Sequence, residues 1–359
     1  MASHQRPSGR MIRLWLGVNA LILVGLGGWI LAPGTTAPPS ADPAAELPPT
    51  RAWLPPAEPA RPDKADILDG DGLRFGVSSP EVPWSGERYE WLAGQAGAGP
   101  SMIEFFVHWT QDYPWGTVES SYQRNAVPVI SWEPWAGQAG GTSQPEYGLR
   151  RIADGGFDGY VRAFAVAVRD HGAPVVIRFA HEMNGHWYPW SEQRSGNRPG
   201  EFVDAWRRDH DTFREVGAGN VIWLWSPNIL RPVPEVSLAD LYPGDSYVDW
   251  VGMVGYGVAE RTAGAVFDPT HEALRELTGK PLVITETGAQ PGDRKAGWIE
   301  DFFGWLADHP DVIGFIWFEY RPDQGASADW RFTETPQTVA AFQAGISDAE
   351  LAPPPLPGG

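Results

Sequence analysis

The chain of 359 residues carries a formal net charge of −18 and no cysteine. Without cysteine there is neither a disulfide framework nor a thiolate metal site, and so acidic a chain offers no basic face to displace the counterions of a nucleic-acid backbone. The 19 tryptophans leave two readings open: an aromatic-rich core, or flat indole faces that stack on sugar rings.

In chain order, residues 1–13 form a short basic segment with Arg6, Arg10 and Arg13, followed by residues 14–32, apolar except for Asn19. At about 1.5 Å per residue this stretch is just long enough to cross a bilayer as a helix. No Lys or Arg follows until Arg51. The positive-inside rule therefore predicts a cytoplasmic N-terminus, a single-pass anchor and an extracellular remainder. The competing reading is a cleaved signal peptide, but Pro33 and Pro38 directly follow the best small-residue cleavage positions. Residues 33–66 are dominated by Pro and Ala and predict an extended spacer. The folded domain is expected over 67–347, with a structureless Pro-rich tail over 348–359.

Within 67–347, apolar, β-branched or aromatic runs recur at 73–77, 102–107, 127–131, 175–179, 221–225, 248–254, 282–285 and 312–317. Helical patterns at 157–170, 201–216, 271–278 and 297–309 fall between them. Eight strands alternating with helices predict an α/β fold, a (β/α)8 TIM barrel preceded by the membrane helix and linker. A doubly wound open sheet is the alternative, but no Gly-rich phosphate loop follows the first strand.

Barrel sites are built at the C-terminal strand ends, and polar and aromatic residues cluster there. The second strand leads into His108-Trp109, the third into Trp132-Glu133, the fourth into His181-Glu182, the fifth into Ser226-Pro227-Asn228, the sixth into Tyr256, the seventh into Glu286 and the eighth into Trp317-Phe318-Glu319. The segments VVIRFAHEMNGHWYPW (175–190) and PLVITETGA (281–289) bring one glutamate each to a common mouth. Such a carboxylate pair is what glycoside hydrolysis with retention uses, one as acid then base and the other as nucleophile. A glutamate at a strand end is by itself more often a salt-bridge partner, and the flanking residues decide otherwise. A zinc motif is excluded by register, since the position four residues after His181 is Gly185 rather than His186.

These two motifs resemble glycoside hydrolase family 26, within the clan of retaining barrel enzymes that carry their glutamates on strands four and seven. The resemblance implies that Glu182 is the acid/base and Glu286 the nucleophile. It further implies that Arg178 supports the pair, that His181 occupies the place before the acid/base, and that Tyr256 hydrogen-bonds the nucleophile. His108 and Trp132 are expected to line the cleft, Trp187 to stack on substrate, and Trp317 to form the platform under the reacting sugar. His181 also reads as a buried, hydrogen-bonded histidine, Tyr188 and Trp190 as packing, and Glu133, Glu319 and Asp329 as loop salt bridges in preference to subsite ligands. An acid that works near neutral pH needs its pKa raised by burial or by the other carboxylate, so the Arg178 charge is expected to favour Glu286.

The implied substrate is a β-linked polysaccharide cleaved internally: β-1,4-mannan first, with mixed-linkage β-glucan or β-1,3-xylan as alternatives. A non-catalytic glycan-binding protein is the reading from another class. No cofactor or metal is expected, no nucleic-acid partner, and a monomer tethered to the membrane.

Overall fold

The structure, a computed structural model, describes residues 61–230 and 236–355. The expected membrane helix at 14–32 and most of the spacer lie outside the described residues. Among the described residues no helix is long and apolar enough to cross a membrane.

Eight parallel strands, β1 (Arg74–Ser78), β2 (Met102–His108), β3 (Val127–Glu133), β4 (Val175–Phe179), β5 (Val221–Trp225), β6 (Trp250–Val254), β7 (Leu282–Thr287) and β8 (Val312–Phe318), close in sequence order into a barrel. The helices in chain order are α1 (Lys64–Leu68), α2 (Gly86–Ala96), α3 (Trp115–Tyr122), α4 (Leu149–Ala153), α5 (Asp158–His171), α6 (Glu201–Val216), α7 (Leu238–Leu241), α8 (Ala263–Leu277), α9 (Lys295–Asp308) and α10 (Pro336–Asp348). The (β/α)8 expectation is thus met for the described domain.

Side-chain alternation along each strand divides the core in two. Met102, Val127, Val129, Val176, Ile222, Leu224, Trp250, Val283 and Ile316 pack together inside the barrel, joined by Ile67 of α1. The alternate residues, among them Ile103, Phe105, Ile130, Ile177, Phe179 and Phe315, pack outward against helix residues such as Val161, Phe164 and Val168 of α5 and Phe202, Trp206 and Phe213 of α6. The spacing within α5 and α6 places those residues on one face of each helix.

α5, α6 and α9 form where periodicity predicts them, within two residues at each end. α8 begins eight residues before the expected 271, because Pro269 lies inside it. Proline removes one intrahelical hydrogen bond and reads as a boundary, yet Ala263, Val266, Phe267, Thr270 and Leu274 are all buried along this helix, and that packing prevails. Thr262 caps its start by accepting a hydrogen bond from the Ala265 amide.

The folded unit exceeds the expected 67–347 at both ends. The Arg61 guanidinium donates to the His171 carbonyl at 2.9 Å and Lys64 pairs with Asp249 at 2.9 Å. The tail expected to be structureless from 348 is paired as far as 352: the Leu73 amide donates to the Glu350 carbonyl at 2.8 Å, and the Ala352 amide to the Leu73 carbonyl at 3.0 Å. Leu73, one residue before β1, supplies free backbone groups that this segment satisfies.

Candidate active site

Toward the C-terminal mouth the barrel interior changes from apolar to polar. Ser78, Glu104, Ser131, Arg178, Ser226 and Thr285 are all fully buried, and Arg178 of β4 is the hub. Its Nη1 donates to Glu286 Oε1 at 2.6 Å, Glu104 Oε1 at 2.8 Å and Ser131 Oγ at 3.0 Å, while its Nε donates to Ser226 Oγ at 3.1 Å. The Ser131 hydroxyl donates to Glu104 Oε1 at 2.7 Å, and Ser226 Oγ lies 2.6 Å from Thr285 Oγ1. Burial alone would weaken the guanidinium as a base, but Glu286 and Glu104 outweigh it and hold the group above its ordinary value.

Glu286 reaches this hub because β7 is irregular. Against β6, Ile284 pairs with Met253 and Glu286 with Val254. Against β8, Ile284 pairs with Phe315 but Thr287 with Trp317. The extra residue is a bulge, which re-aims a side chain. Two successive residues then point inward: Thr285 donates to the Met253 carbonyl at 3.2 Å, and Glu286 receives Arg178 on Oε1 and the Tyr256 hydroxyl on Oε2 at 2.9 Å.

Glu182 is presented differently, on the turn that leaves β4. Ala180 (φ 45°) and Glu182 (φ 53°) both occupy the left-handed region, uncommon for residues with a Cβ and held only where surroundings over-determine them. Here the loop is fastened to the end of β5. The Glu182 amide donates to the Ser226 carbonyl at 2.8 Å, and Asn184 and Asn228 exchange side chain-to-backbone hydrogen bonds at 2.8 Å each. Asn228 Nδ2 donates to Glu182 Oε1, and Trp187 Nε1 donates to Oε2 at 2.6 Å. The Trp187 ring folds back over Gly185, where an added Cβ would lie 2.5 Å from the indole. Only glycine leaves room for the ring there.

Burial raises the Glu182 carboxyl above its ordinary range, reinforced by the Glu286 charge and opposed by Arg178, Trp187 and Asn228. The first two effects favour the protonated form of this carboxyl. His181, fully buried, shares a 3.3 Å contact with Glu133 Oε1, and burial followed by the Arg178 charge keeps it well below its ordinary pKa. Both effects favour the neutral imidazole. Glu133 also accepts from Trp135 Nε1 at 3.1 Å, and burial pushes its carboxyl up to about 8. Tyr188 and Trp190 stack on each other with centroids 4.3 Å apart and crowd the His181 ring, and Trp190 Nε1 donates to the His181 carbonyl. His108 lies half-buried at the end of β2, its Nδ1 2.7 Å from Thr110 Oγ1.

Arg178, Glu286, Tyr256, Glu182 and Trp187 are thus brought together, with His181 alongside Glu182 in the chain and His108 at the end of β2. Two expected cleft residues are placed elsewhere. Trp132 packs outward against Trp109, Tyr160, Phe164, Phe179 and Phe213. Trp317 packs outward against Trp298, Phe302, Phe332 and Phe342. Both are fully buried, and both fall one residue out of phase with the inward set. Their neighbours Ser131 and Glu133 on β3, and Ile316 and Phe318 on β8, are the in-phase residues. Phe318 instead joins Tyr320, Trp330, Phe106 and Tyr256 in an aromatic cluster.

Sequence reasoning leaves Glu104 and Ser131 out of the site and notes Asn228 at the end of the fifth strand without a role. Alternation counted back from His108 reaches Glu104, and counted back from Glu133 reaches Ser131; that was the available signal. Of the three carboxylates read as salt bridges, Asp329 pairs with Arg331 at 2.6 Å. Glu133 meets His181 and Trp135, and Glu319 accepts from Thr333 Oγ1 and from the Phe332 amide at 3.0 Å.

A closed (β/α)8 barrel with two carboxylates at its C-terminal mouth, one held by a cation and a phenol and the other by neutral N–H donors, defines a paired-carboxylate barrel site. Residues 158–280 match the family model described as Glycosyl hydrolase family 26, and the resemblance carried by the strand-four motif is borne out; Glu286 follows just beyond the matched segment. The chain is 29% identical over 266 residues to Endoglucanase H of Acetivibrio thermocellus, covering 70% of this chain and 28% of that protein. It is 29% identical over 189 residues to a mannan endo-1,4-beta-mannosidase of Bacillus subtilis (strain 168), covering 50% and 47%. The chain thus spans less than half the length of either relative. A solved Bacillus subtilis mannanase superposes with a TM-score of 0.55 over 80% of this chain and 89% of that one at 18% identity, a likeness of fold.

Proposed function

We propose that this protein is a retaining glycoside hydrolase that cleaves internal bonds of a β-linked polysaccharide by double displacement. The observation that carries it is the unequal support of the two carboxylates. Glu286 is held by Arg178 and Tyr256, which suit an ionised nucleophile. Glu182, buried and facing that negative charge, suits a carboxyl that keeps its proton. In the first step Glu286 bonds to the anomeric carbon as the glycosidic C–O bond breaks and Glu182 gives its proton to the leaving oxygen. In the second, Glu182 takes a proton from water, which displaces Glu286.

The preferred substrate is β-1,4-mannan. Mixed-linkage β-glucan is the second reading, favoured by the alignment with Endoglucanase H, which extends over more of this chain than that with the mannosidase. The deciding experiment is hydrolysis of galactomannan, mixed-linkage β-glucan and β-1,3-xylan by the domain from residue 61 onward, with product anomers followed by NMR beside Glu182→Ala and Glu286→Ala. Retained configuration, lost in both variants, supports the reading. Binding of a glycan without cleavage would favour the non-catalytic alternative, and inverted products would exclude double displacement. We further propose that residues 14–32 tether a monomeric catalytic domain outside the membrane; recovery of the domain free in the medium would count against the tether.

A further inference from the structure

We propose that Glu104 is a positioning residue: it is the second counter-charge of Arg178, and it keeps the guanidinium aimed at Glu286 while Glu286 carries the glycosyl group. The inference rests on the double-displacement reading and adds a third carboxylate to it.

Arg178 is fully buried, and one nitrogen, Nη1, serves both Glu286 Oε1 at 2.6 Å and Glu104 Oε1 at 2.8 Å. Glu104 lies on β2, Arg178 on β4 and Glu286 on β7, so the pairing is assembled across the barrel rather than within one loop. When Glu286 forms its ester with the anomeric carbon, its full negative charge is gone, whereas Arg178 stays charged and out of contact with water. A buried cation without a partner is strongly disfavoured. Glu104 remains on the same nitrogen and is steadied by the Ser131 hydroxyl at 2.7 Å. No proton or electron has to move through Glu104 for this role. The step is balanced by the Glu182 proton that leaves with the departing oxygen.

The titratable groups that act on Glu104 are Arg178 on β4, Glu286 on β7, Glu133 on β3, and Tyr256 and Tyr320 beyond the ends of β6 and β8. Burial, opposed by Arg178 and reinforced by Glu286, pushes the Glu104 carboxyl up to about 7. The isosteric neutral variant separates charge from shape. With Glu104→Gln, the shape beside Arg178 is kept while Glu286 is left as the carboxylate on that nitrogen.

The experiment compares wild type, Glu104→Gln, Glu104→Asp and Ser131→Ala in the full chain. It measures kcat, KM, the kcat/KM–pH profile, and the rate at which a 2-deoxy-2-fluoroglycoside labels Glu286, followed by intact mass. Glu104→Gln should lower kcat and the labelling rate by about tenfold to a hundredfold, leave KM little changed and displace the acid limb, since the Glu104 carboxyl pushed up to about 7 is gone. Glu104→Asp should recover part of the rate, and Ser131→Ala, which removes the hydroxyl that steadies Glu104, should shift kcat and the pH profile in the same direction as Glu104→Gln but by less. Wild-type kcat and pH profile in Glu104→Gln, with only a lower Tm, would overturn the proposal. If Glu104→Gln fails to fold, Glu104→Asp decides: a displaced acid limb supports the role and an unmoved one removes it. If the wild type neither hydrolyses glycans nor takes the label, the double-displacement reading fails by itself. Infrared difference titration of the carboxyls, which needs no substrate, then reads whether the wild type holds a carboxyl titrating near 7 that Glu104→Gln lacks, and the absence of any such difference would sink the inference.

Discussion

The ends of β4 and β7 each deliver a glutamate, but by opposite means. At β7 a bulge turns Glu286 inward onto a guanidinium and a phenol. At β4 a turn with two left-handed residues lifts Glu182 onto an indole and an amide, neither carrying charge. Two identical side chains thereby receive unlike partners. Burial and the neighbouring carboxylate favour the protonated form of Glu182, while Glu286 meets a guanidinium and a phenol. In the proposed mechanism the roles of acid and nucleophile follow from the partners rather than from the glutamates themselves.

The largest effect should come from deleting each carboxylate, and the two deletions should differ in kind. Glu286→Ala is expected to lower kcat by on the order of 10⁴-fold or more on every substrate, since no other group forms the covalent bond. Glu182→Ala should cost about 10²–10⁴-fold on a polysaccharide but far less in the first step on an aryl glycoside whose leaving group needs no proton. Comparing burst kinetics of the two variants on both substrates checks this. Equal losses on both substrates would reverse or erase the assignment.

A smaller effect sharpens the β4 side. Trp187→Phe keeps an aromatic face but removes the N–H on Glu182 Oε2. A donor to a carboxylate favours its ionised form, so its loss should raise the Glu182 pKa and carry the alkaline limb of the kcat/KM–pH profile upward, with a drop in rate of about tenfold. An unmoved limb with a weaker KM would instead make Trp187 purely a stacking surface.

The strands were legible because parallel strands covered on both faces are short apolar runs, and their spacing with α5, α6 and α9 specified the barrel. The glutamates were legible because a single motif surrounds each. Trp132 and Trp317 were misplaced for one physical reason: a strand end was read as a cluster rather than as an alternation, and indoles were assigned to sugar that the helix layer claims. α8 reaches back past Pro269 to Ala263, where tertiary packing overrides a local breaker. The Glu286 bulge lies beyond sequence reading, since two consecutive inward residues contradict the period of two, and Glu104 was hidden inside a run of apolar neighbours on β2.

The Glu133–His181 pair extends the comparison into stability. The Glu133 carboxyl rises from an ordinary value of 4.5 to about 8, chiefly through burial. Below about pH 4.5 folded and unfolded chains both hold this proton. Between there and about pH 8 the folded chain keeps it while the unfolded chain releases it, so this group's share of stability falls as pH rises, at up to about 1.4 kcal/mol per unit. Glu133→Gln, which keeps an acceptor for Trp135, should flatten that part of the slope. Urea unfolding across this range tests it, and a slope unaltered by the substitution would mean that Glu133 is ionised in the folded state.

The smallest effect on catalysis, and the sharpest test of inward against outward, belongs to Trp317. Its ring lies among Trp298, Phe302, Phe332 and Phe342, with Phe342 5.2 Å away, and its Nε1 donates to the Trp330 carbonyl at 3.0 Å. Trp317→Phe leaves a void in the helix layer and one unpaired carbonyl, for which roughly 1–3 kcal/mol of stability should be lost. Sugar binding should change only through Trp330, whose ring stands 4.7 Å from Tyr256 and so touches the group that donates to Glu286. A lower Tm with KM held near wild type is therefore expected, whereas a sugar platform would show the reverse, KM rising steeply while Tm barely moved. Measuring both on the same preparation decides whether the ring belongs to the helix layer or to the mouth.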